Sequence, residues 1–386
     1  MRPLLRVLYL VEGFTDIRFV VGLSGICDLT MAVPAGAYAH SGLKQRVADS
    51  GARVAVDEIP GGRLAWQVAA LRYVWRRARD FDVILAQEAL RAALSANLAG
   101  RARRVPVVTC MGVAPMEYFR CRRERRRIGA AKALLGEATI RTLLRVNGML
   151  AARALGMGPY LTDIARRYSS RSGITLYYGV DTDFFHPASA AERLALRARR
   201  DLPADRFVIF LSSRISHEKD PETALLATAE ARSRGLDAVL LNLGGGYRDF
   251  VELAHALDLP EAERWVLGRP AAHPMTEVAD YFRAADVMAL ASLAEGVGYS
   301  TLEALACGTP VVATAVGGMA MLLPDFARLT PRRDAHAMAD AFLWIAAHPE
   351  EARAQALHGR DYVVREWNRA KAFADLGAVL EDAAAE

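Results

Sequence analysis

Two basic residues follow the apolar run RFVIFLS (206–212) and precede the helix-breaking pair Asp220-Pro221. Arg214 offers a fixed fork of donors and Lys219 a compact ammonium, so the pair suits a diphosphate, at about 1.5–3 kcal/mol for each charge-assisted bond. An R-x4-K spacing is common, and a solvated turn explains it equally well. Only four of the 49 basic residues are lysines, which gives a single lysine more weight than a single arginine.

A stronger pattern lies in the segment EGVGYSTLEALACGTPVVAT (295–314), which follows the strand-like run DVMALAS (286–292). Gly296 and Gly298 indicate a turn, and the pattern predicts that a helix begins at about Ser300. Free backbone N–H groups and the positive end of the helix dipole make such a helix start a ready site for a phosphate group.

Two carboxylates stand in this segment, Glu295 on the turn and Glu303 in the first helical turn. Carboxylates only accept hydrogen bonds, so their natural partners are pairs of hydroxyl groups on a sugar or ribose. For Glu303 an ordinary explanation is equally good, because Ser300 and Glu303 have the S-x-x-E spacing of a capping box. That explanation accounts neither for Glu295 nor for the two glycines.

Short apolar runs alternate with longer stretches of helical period along the whole chain, a pattern typical of parallel βαβ units. The 386 residues suffice for two or three domains. We predict an α/β fold with two tandem doubly wound domains, at 1–175 and 176–350, and a helical segment at 351–386 that could pack back on the first domain. The predicted strands are LLRVLYLV, DLTMAVP, ARVAVDEI, DVILA and VPVVTC in the first half, and RFVIFLS, AVLLNLG, WVLG, DVMALAS and PVVAT in the second.

Composition excludes several classes of protein. The 53% of hydrophobic residues and the absence of low-complexity tracts are those of a folded globular chain. No run of 18 apolar residues predicts a transmembrane helix. The four cysteines show neither C-x-x-C pairs nor the spacing of a disulfide framework, which favours a reducing compartment. We therefore expect a cytoplasmic protein, either free or peripheral at the inner membrane face.

Taken together, R-x4-K, E-x7-E, the run ALACGTPVVAT followed by AVGG, and the junction GVDTDFFHP (179–187) resemble the retaining glycosyltransferases of family GT4, the glycosyl transferases group 1. The resemblance covers about residues 174–345. It implies a GT-B fold, in which two Rossmann-like domains face a cleft. It also implies transfer of a sugar from a nucleotide-sugar substrate, a UDP- or GDP-sugar, with retention of anomeric configuration and with no bound metal or other cofactor.

Carried over position by position, the resemblance implies three catalytic residues, Arg214, Lys219 and Glu295. The two cations would hold the donor diphosphate and stabilise the leaving group, and Glu295 would hold a hydroxyl of the donor sugar. The remaining donor-binding residues are Glu303, which would take the ribose hydroxyls, the backbone of Gly298, Tyr299, Ser300 and Thr301, and Gly13, which stands where the family often has a paired glycine.

The first half departs from the family pattern. Met111 and Gly112 follow the run VPVVTC, where members often carry a histidine. This difference leaves the donor sugar undetermined and motivates an alternative, a nucleotide-sugar-binding subunit with impaired catalysis.

The segment YFRCRRERRR (118–127) carries six arginines and one glutamate, and residues 1–180 have a net charge of +15 against −10 for residues 181–386. A solvated helix face explains the run. The neighbouring Tyr118 and Phe119 favour an acceptor or membrane patch instead, and no nucleic-acid motif accompanies the charge. We predict a lipid-linked or anionic glycan acceptor, with a small soluble acceptor such as a natural product as the alternative. The patch consists of Arg120, Arg122, Arg123, Arg125, Arg126 and Arg127.

Two short motifs are assigned no chemistry. Asp181-Thr-Asp183 has the D-x-D form of a metal site, but it lies within the junction GVDTDFFHP, and a two-carboxylate match has a high false-positive rate. The glycines at 244–246 do not complete a G-x-G-x-x-G motif, which disfavours a dinucleotide-dependent oxidoreductase. His186, His217 and His273 stand on predicted loops without a spaced partner, and surface loop histidines are the ordinary explanation.

Overall fold

The computed structural model describes residues 4–13, 15–126, 128–243, 249–269 and 275–386. The chain forms two compact units. The first combines the residues before 120 with 128–179 and 369–386, and the second combines 120–126 with 180–368. The sequence-based prediction placed the domain boundaries at residues 175 and 350. In the structure, the helix that begins at Pro349 lies in the second unit, and of the C-terminal segment only the last helix lies in the first unit.

A seven-stranded parallel sheet with the order β3-β2-β1-β4-β5-β6-β7 forms the centre of the first unit. Strand order reverses between β1 and β4, which is the topological switch point of a doubly wound sheet. The strands are β1 Arg6–Leu10, β2 Asp28–Pro34, β3 Val54–Ile59, β4 Val83–Ala86, β5 Val107–Met111, β6 Arg153–Met157 and β7 Ser172–Thr175.

Helices cover both faces of this sheet, as the continuous burial of its central strands requires. One buried apolar cluster contains Trp66 and its helical neighbours Ala70 and Val74, together with Leu8 and Leu10 of β1 and Ile84 and Ala86 of β4. The helices are α1 Ile17–Ser24, α2 Ala37–His40, α3 Leu43–Ser50, α4 Ala65–Arg77, α5 Arg91–Arg103, α6 Pro115–Arg126, α7 Ala130–Leu150, α8 Gly158–Arg166 and, from the end of the chain, α17 Arg369–Ala384, with a 3₁₀ turn at Ala78–Asp80.

The second unit contains a six-stranded parallel sheet with the order β10-β9-β8-β11-β12-β13, which reverses between β8 and β11. Its strands are β8 Phe207–Leu211, β9 Ala238–Leu243, β10 Val266–Arg269, β11 Val287–Leu290, β12 Val311–Thr314 and β13 Arg328–Thr330. Its helices are α9 Ala190–Arg199, α10 Pro221–Ser233, α11 Phe250–Ala256, α12 Met275–Ala284, α13 Tyr299–Ala306, α14 Gly317–Leu322, α15 Ala335–Ala347 and α16 Pro349–Glu366, with 3₁₀ turns at His217–Lys219 and Ala262–Arg264.

The expectation of two doubly wound α/β sheets is confirmed. Each of the ten predicted strands is present, and β6, β7 and β13 were missed. Strand β6 (RALGM) contains Gly156, whose backbone lies so near α8 that a Cβ there would stand 2.1 Å from the nitrogen of Thr162. Gly156 weakens the strand pattern in the sequence, but the close packing of β6 against α8 requires a glycine at this position. Among the described residues, no helix is long and apolar enough to cross a membrane.

Candidate functional site

The loop after β8 is held by a buried asparagine on the neighbouring strand. Asn242 is fully buried on β9, in register with Leu211, and its Nδ2 donates to the carbonyl oxygens of Leu211 and Ser213, both at 2.9 Å. Ile215 is buried. Arg214, which stands between Ser213 and Ile215, is exposed and forms no ion pair within the described part of the chain. The loop therefore presents the guanidinium of Arg214 on a fixed backbone.

The second half of the loop is a 3₁₀ turn that leads into α10. Leu293, which follows β11, donates its main-chain N–H to the carbonyl oxygen of Glu218 at 2.8 Å. Asp220 has a positive φ of 45° and accepts from the Thr223 hydroxyl at 2.6 Å, and Pro221 occupies the first helical position. Burial raises the pKa of the Asp220 carboxyl. The loop is thus attached to β9 at its start and to the end of β11 at its finish.

Lys219 and Glu295, two of the predicted catalytic residues, are in direct contact. The ammonium of Lys219 donates to Oε2 of Glu295, and the Ser292 hydroxyl donates to the same oxygen at 3.1 Å. The Lys219 side chain is 18% exposed and that of Glu295 is 12% exposed. The loop after β8 and the turn after β11 are therefore joined by a largely buried ion pair.

The turn that carries Glu295 depends on glycine at two positions. Gly298 has a φ of 73° and stands at the N-cap of α13. A Cβ on Gly318 would lie 1.9 Å from the carbonyl oxygen of Gly296, so α14 begins in close contact with the turn. Gly318 also donates its N–H to the carbonyl oxygen of Glu295 at 3.1 Å. These contacts fix the path of the main chain through the turn that carries Glu295.

Helix α13 begins at Tyr299, one residue before the predicted start. Its N-cap residue is Gly298, and no side-chain hydrogen bond caps the helix there. Ser300 is therefore inside the helix, and the capping-box explanation of Ser300 and Glu303 is wrong. Both the N–H and the hydroxyl of Thr301 donate to the carbonyl oxygen of Gly298, at 2.8 Å and 2.7 Å. Thr301, predicted to face the ligand through its backbone, uses its donors within the turn.

Glu303 is only 5% exposed on α13. A carboxyl group buried to this degree needs polar partners, because an isolated buried charge is strongly disfavoured. Its role toward ribose hydroxyls stays a prediction, as do the roles of Tyr299 and Ser300.

Three polar side chains of the loop after β8 were not predicted to belong to the site. Ser213 Oγ, Ser216 Oγ and His217 Nε2 are buried atoms that have no hydrogen-bond partner among the described residues. Buried polar atoms without partners are rare in folded proteins. His217 was interpreted from the sequence as an ordinary loop histidine. The only sequence feature that could have assigned it to the site is its position two residues before Lys219.

Gly13 lies in the first unit, directly after β1. It is exposed, and a Cβ there would stand 3.2 Å from Oε1 of Glu88. The preceding Glu12 pairs with Arg91 at the start of α5. Met111 is buried at the end of β5. The donor-binding role of Gly13 stays a prediction.

The predicted arginine patch lies on α6. Arg120, Arg122, Arg125 and Arg126 are exposed, Arg123 is half-buried, and Arg127 lies outside the described residues. Glu124, the one acidic residue of the run, pairs with Arg333 at 2.6 Å. The patch was expected on the first domain, but residues 120–126 group with the second unit.

The carboxylate of Asp181 takes part in the junction turn, where its Oδ1 accepts from the N–H of Phe184 at 3.1 Å. Asp183 is exposed. Within the described ranges, no group of three His, Cys, Asp or Glu side chains is placed to hold a metal ion.

Solved structures show the same fold over nearly the full chain. HepE from Anabaena, in complex with UDP, matches with a TM-score of 0.77 at 17% identity and covers 98% of this chain and 100% of that one. Sucrose-phosphate synthase from Thermosynechococcus elongatus matches with a TM-score of 0.73 at 19% identity, over 97% and 98% of the two chains. At these identities the likeness shows the fold alone, which is the GT-B fold of glycosyltransferases.

Curated relatives are more similar in sequence but over shorter lengths. The D-inositol 3-phosphate glycosyltransferase of Saccharomonospora viridis is 34% identical over 209 residues, which are 50% of this chain and 47% of that protein. The enzyme of the same name from Kineococcus radiotolerans is 41% identical over 159 residues, 38% of this chain and 35% of that protein. The matches thus span half or less of the length of these relatives.

Residues 192–361 match the family model described as Glycosyl transferases group 1. The matched range includes both loops of the site, with Arg214, Lys219, Glu295 and Glu303. The resemblance inferred from the sequence is confirmed over this region, which matches the model of the group 1 glycosyltransferases.

Proposed function

We propose that this protein is a retaining glycosyltransferase that takes a sugar from a nucleotide-sugar donor, a UDP- or GDP-sugar, bound at the second unit. The contact between Lys219 and Glu295 carries the proposal, because it joins two loops that each supply groups suited to such a donor. Arg214 stands on the same loop as Lys219, exposed and without an ion-pair partner among the described residues.

The charges suit departure of a nucleoside diphosphate. As the bond between the sugar and the diphosphate breaks, negative charge grows on the phosphate oxygens, and Arg214 and Lys219 would stabilise it from fixed positions. An ammonium has three donors, so Lys219 can keep its contact with Glu295 and still donate to a phosphate oxygen. Glu295 has a second carboxylate oxygen with which to accept from a sugar hydroxyl. In this proposal the chain's own cations supply the charge, and no metal or other cofactor takes part.

A donor panel tests the proposal directly. In a thermal-shift assay with UDP- and GDP-sugars, a binder at 100 times its dissociation constant adds about 2.7 kcal/mol of stability. We expect a rise of several degrees with at least one donor, and release of nucleoside diphosphate when donor and protein are incubated together. Such release also separates an enzyme from a subunit that only binds.

Arg214→Ala should abolish the release and reduce the shift, while the unfolding temperature of the ligand-free protein stays unchanged. Arg264→Ala is the matched control, because Arg264 is an exposed arginine that precedes β10 at the opposite edge of the same sheet. If Arg214→Ala turns over donor as the wild type does, the proposed donor site is wrong.

A lipid-linked or anionic glycan at the inner membrane surface is the first candidate acceptor. The exposed arginines of α6 support it. Arginines near an anionic bilayer contribute about 1 kcal/mol each. Co-sedimentation with anionic vesicles at low salt, lost in Arg122→Gln/Arg123→Gln/Arg126→Gln, is the expected result. No sedimentation at low salt would remove this candidate.

A small soluble acceptor is the second candidate, and the relatives' name favours it. The Saccharomonospora and Kineococcus proteins are D-inositol 3-phosphate glycosyltransferases by name, which points to a phosphorylated polyol. Adding an inositol phosphate to the donor-release assay tests it. Faster release and a glycosylated product would support this acceptor, and an unchanged rate at millimolar acceptor would exclude it.

A further inference from the structure

The loop that carries Arg214 is held by Asn242, a residue to which the proposed function assigns no role. Asn242 lies on β9, where the four residues before it, Ala238 to Leu241, are almost completely buried and apolar. A buried amide costs about 1–3 kcal/mol for a polar group left unpaired. The Oδ1 atom of Asn242 has no hydrogen-bond partner among the described residues, so the hydrogen bonds of its Nδ2 atom must account for an amide at this position.

The Nδ2 atom of Asn242 uses its two hydrogens on the main chain of the loop. One bond goes to the carbonyl oxygen of Leu211, the last residue of β8, and the other goes to the carbonyl oxygen of Ser213, both at 2.9 Å. Leu211 also accepts from the N–H of Ser213 at 3.0 Å, so the chain turns sharply over these three residues. Arg214 follows directly on the second of the two carbonyls.

Among the described residues, no other side chain donates a hydrogen bond to the main chain of this first half of the loop. The second half has its own attachment, the main-chain bond from Leu293 to Glu218 and the ion pair of Lys219. The backbone direction at Arg214 therefore depends on Asn242 at one end and on the end of β11 at the other. Because the exposed guanidinium of Arg214 forms no ion pair with any described residue, its average position follows the backbone.

We propose that Asn242 is a positioning residue for donor binding, one that sets the backbone before Arg214 so that the guanidinium meets the donor diphosphate. The inference rests on the proposed function. Asn242 itself touches neither donor nor acceptor. It acts through two hydrogen bonds to the main chain, and its effect on nucleotide affinity is realised through Arg214.

The test is a double-mutant cycle between Asn242→Leu and Arg214→Ala, with UDP and GDP as probes in titration calorimetry. Leucine has the same branched skeleton of non-hydrogen atoms as asparagine, suits the apolar strand and lacks the donor. Loss of a charge-assisted hydrogen bond lowers affinity by about 10- to 100-fold. We expect Asn242→Leu to weaken nucleotide binding by at least tenfold in the wild-type background and by less than threefold in the Arg214→Ala background.

This non-additivity is the readout that a purely structural role would not produce, since a general loss of stability weakens binding equally in both backgrounds. Thr228→Val is the control for the loss of a buried hydrogen bond, because Thr228 is fully buried on α10 and donates only to Ala224 of the same helix, at 2.8 Å. It should leave affinity unchanged in both backgrounds.

Asn242→Asp provides a second variant if the leucine variant does not fold, because it keeps the shape of the side chain and replaces the donating nitrogen by oxygen. Equal losses in the two Arg214 backgrounds, wild-type affinity in both Asn242 variants, or loss of folding in both variants would each overturn the positioning role. If the wild type binds neither UDP nor GDP, or Arg214→Ala binds as the wild type does, the proposed function fails instead. The two failures are therefore distinguishable.

Discussion

Removal of Lys219 should destabilise the second unit as well as abolish donor turnover, and the two effects can be separated. In Lys219→Met the carboxylate of Glu295 stays largely buried, with 12% of its side chain exposed, and keeps the hydrogen bond from Ser292. Deleting one partner of a fully buried pair costs about 3–5 kcal/mol. Because both side chains are partly exposed, we expect a smaller cost, about 2–3 kcal/mol.

A double variant removes the uncompensated charge. Lys219→Met/Glu295→Gln places a neutral amide where the carboxylate stood, and the amide oxygen can still accept from Ser292. Replacing both partners of a buried pair is close to neutral, so the double variant should recover to within about 1 kcal/mol of the wild type. For a unit of this size, about 2–4 °C accompanies each kcal/mol, which predicts a fall of about 5–10 °C for the single variant.

Thermal unfolding followed by circular dichroism measures these shifts, and donor release measures turnover. Both variants should be inactive, although only the single one is unstable. Arg214→Ala should be inactive at wild-type stability, because the exposed guanidinium has no ion-pair partner among the described residues. Equal unfolding temperatures for the single and double variants would refute the claim that a largely buried ion pair joins the two loops.

Three further outcomes are expected. Glu303→Gln should weaken UDP or GDP binding in calorimetry without lowering the unfolding temperature, and a loss of stability alone would assign Glu303 to the helix. Burial raises the pKa of Asp220, so ionisation costs stability as pH rises above about 4. Asp220→Asn should therefore be more stable than the wild type at pH 7 and equal to it at about pH 3, as measured by urea unfolding. Donor release should survive exhaustive chelation, and restoration of lost activity by magnesium or manganese would contradict the metal-free proposal.

Sequence patterns located the two loops of the candidate site because both follow strands of uniform apolar character. The runs RFVIFLS and DVMALAS each end in polar or glycine residues, and parallel strands place such residues at one edge of a sheet. The capping box was predicted wrongly because its assignment depended on the exact first residue of the helix. Helix α13 begins at Tyr299, not at about Ser300, and this shift removes the capping box that the spacing of Ser300 and Glu303 suggested.

Contacts between distant segments could not be predicted from the same patterns. The sequence indicated Lys219 and Glu295 separately, with separate partners, but their contact spans 76 residues and depends on which strands are neighbours. The polar residue Asn242 lies within the run AVLLNLG, which was identified only as a strand. Nothing in that run indicates that its amide reaches across to the neighbouring strand's carbonyls.

Strand order supplies what the patterns lack. The sheet of the second unit places β8 between β9 and β11, although 26 residues lie between the end of β8 and the start of β9, and 75 between the end of β8 and the start of β11. Because all three strands run in parallel, their carboxyl ends bring Asn242, the Arg214 loop and the Glu295 turn to one edge. Any arrangement that separated β8 from either neighbour would keep every local pattern and lose the site. The chemistry of the second unit is therefore specified by the pairing of three strands more than by the composition of any one loop.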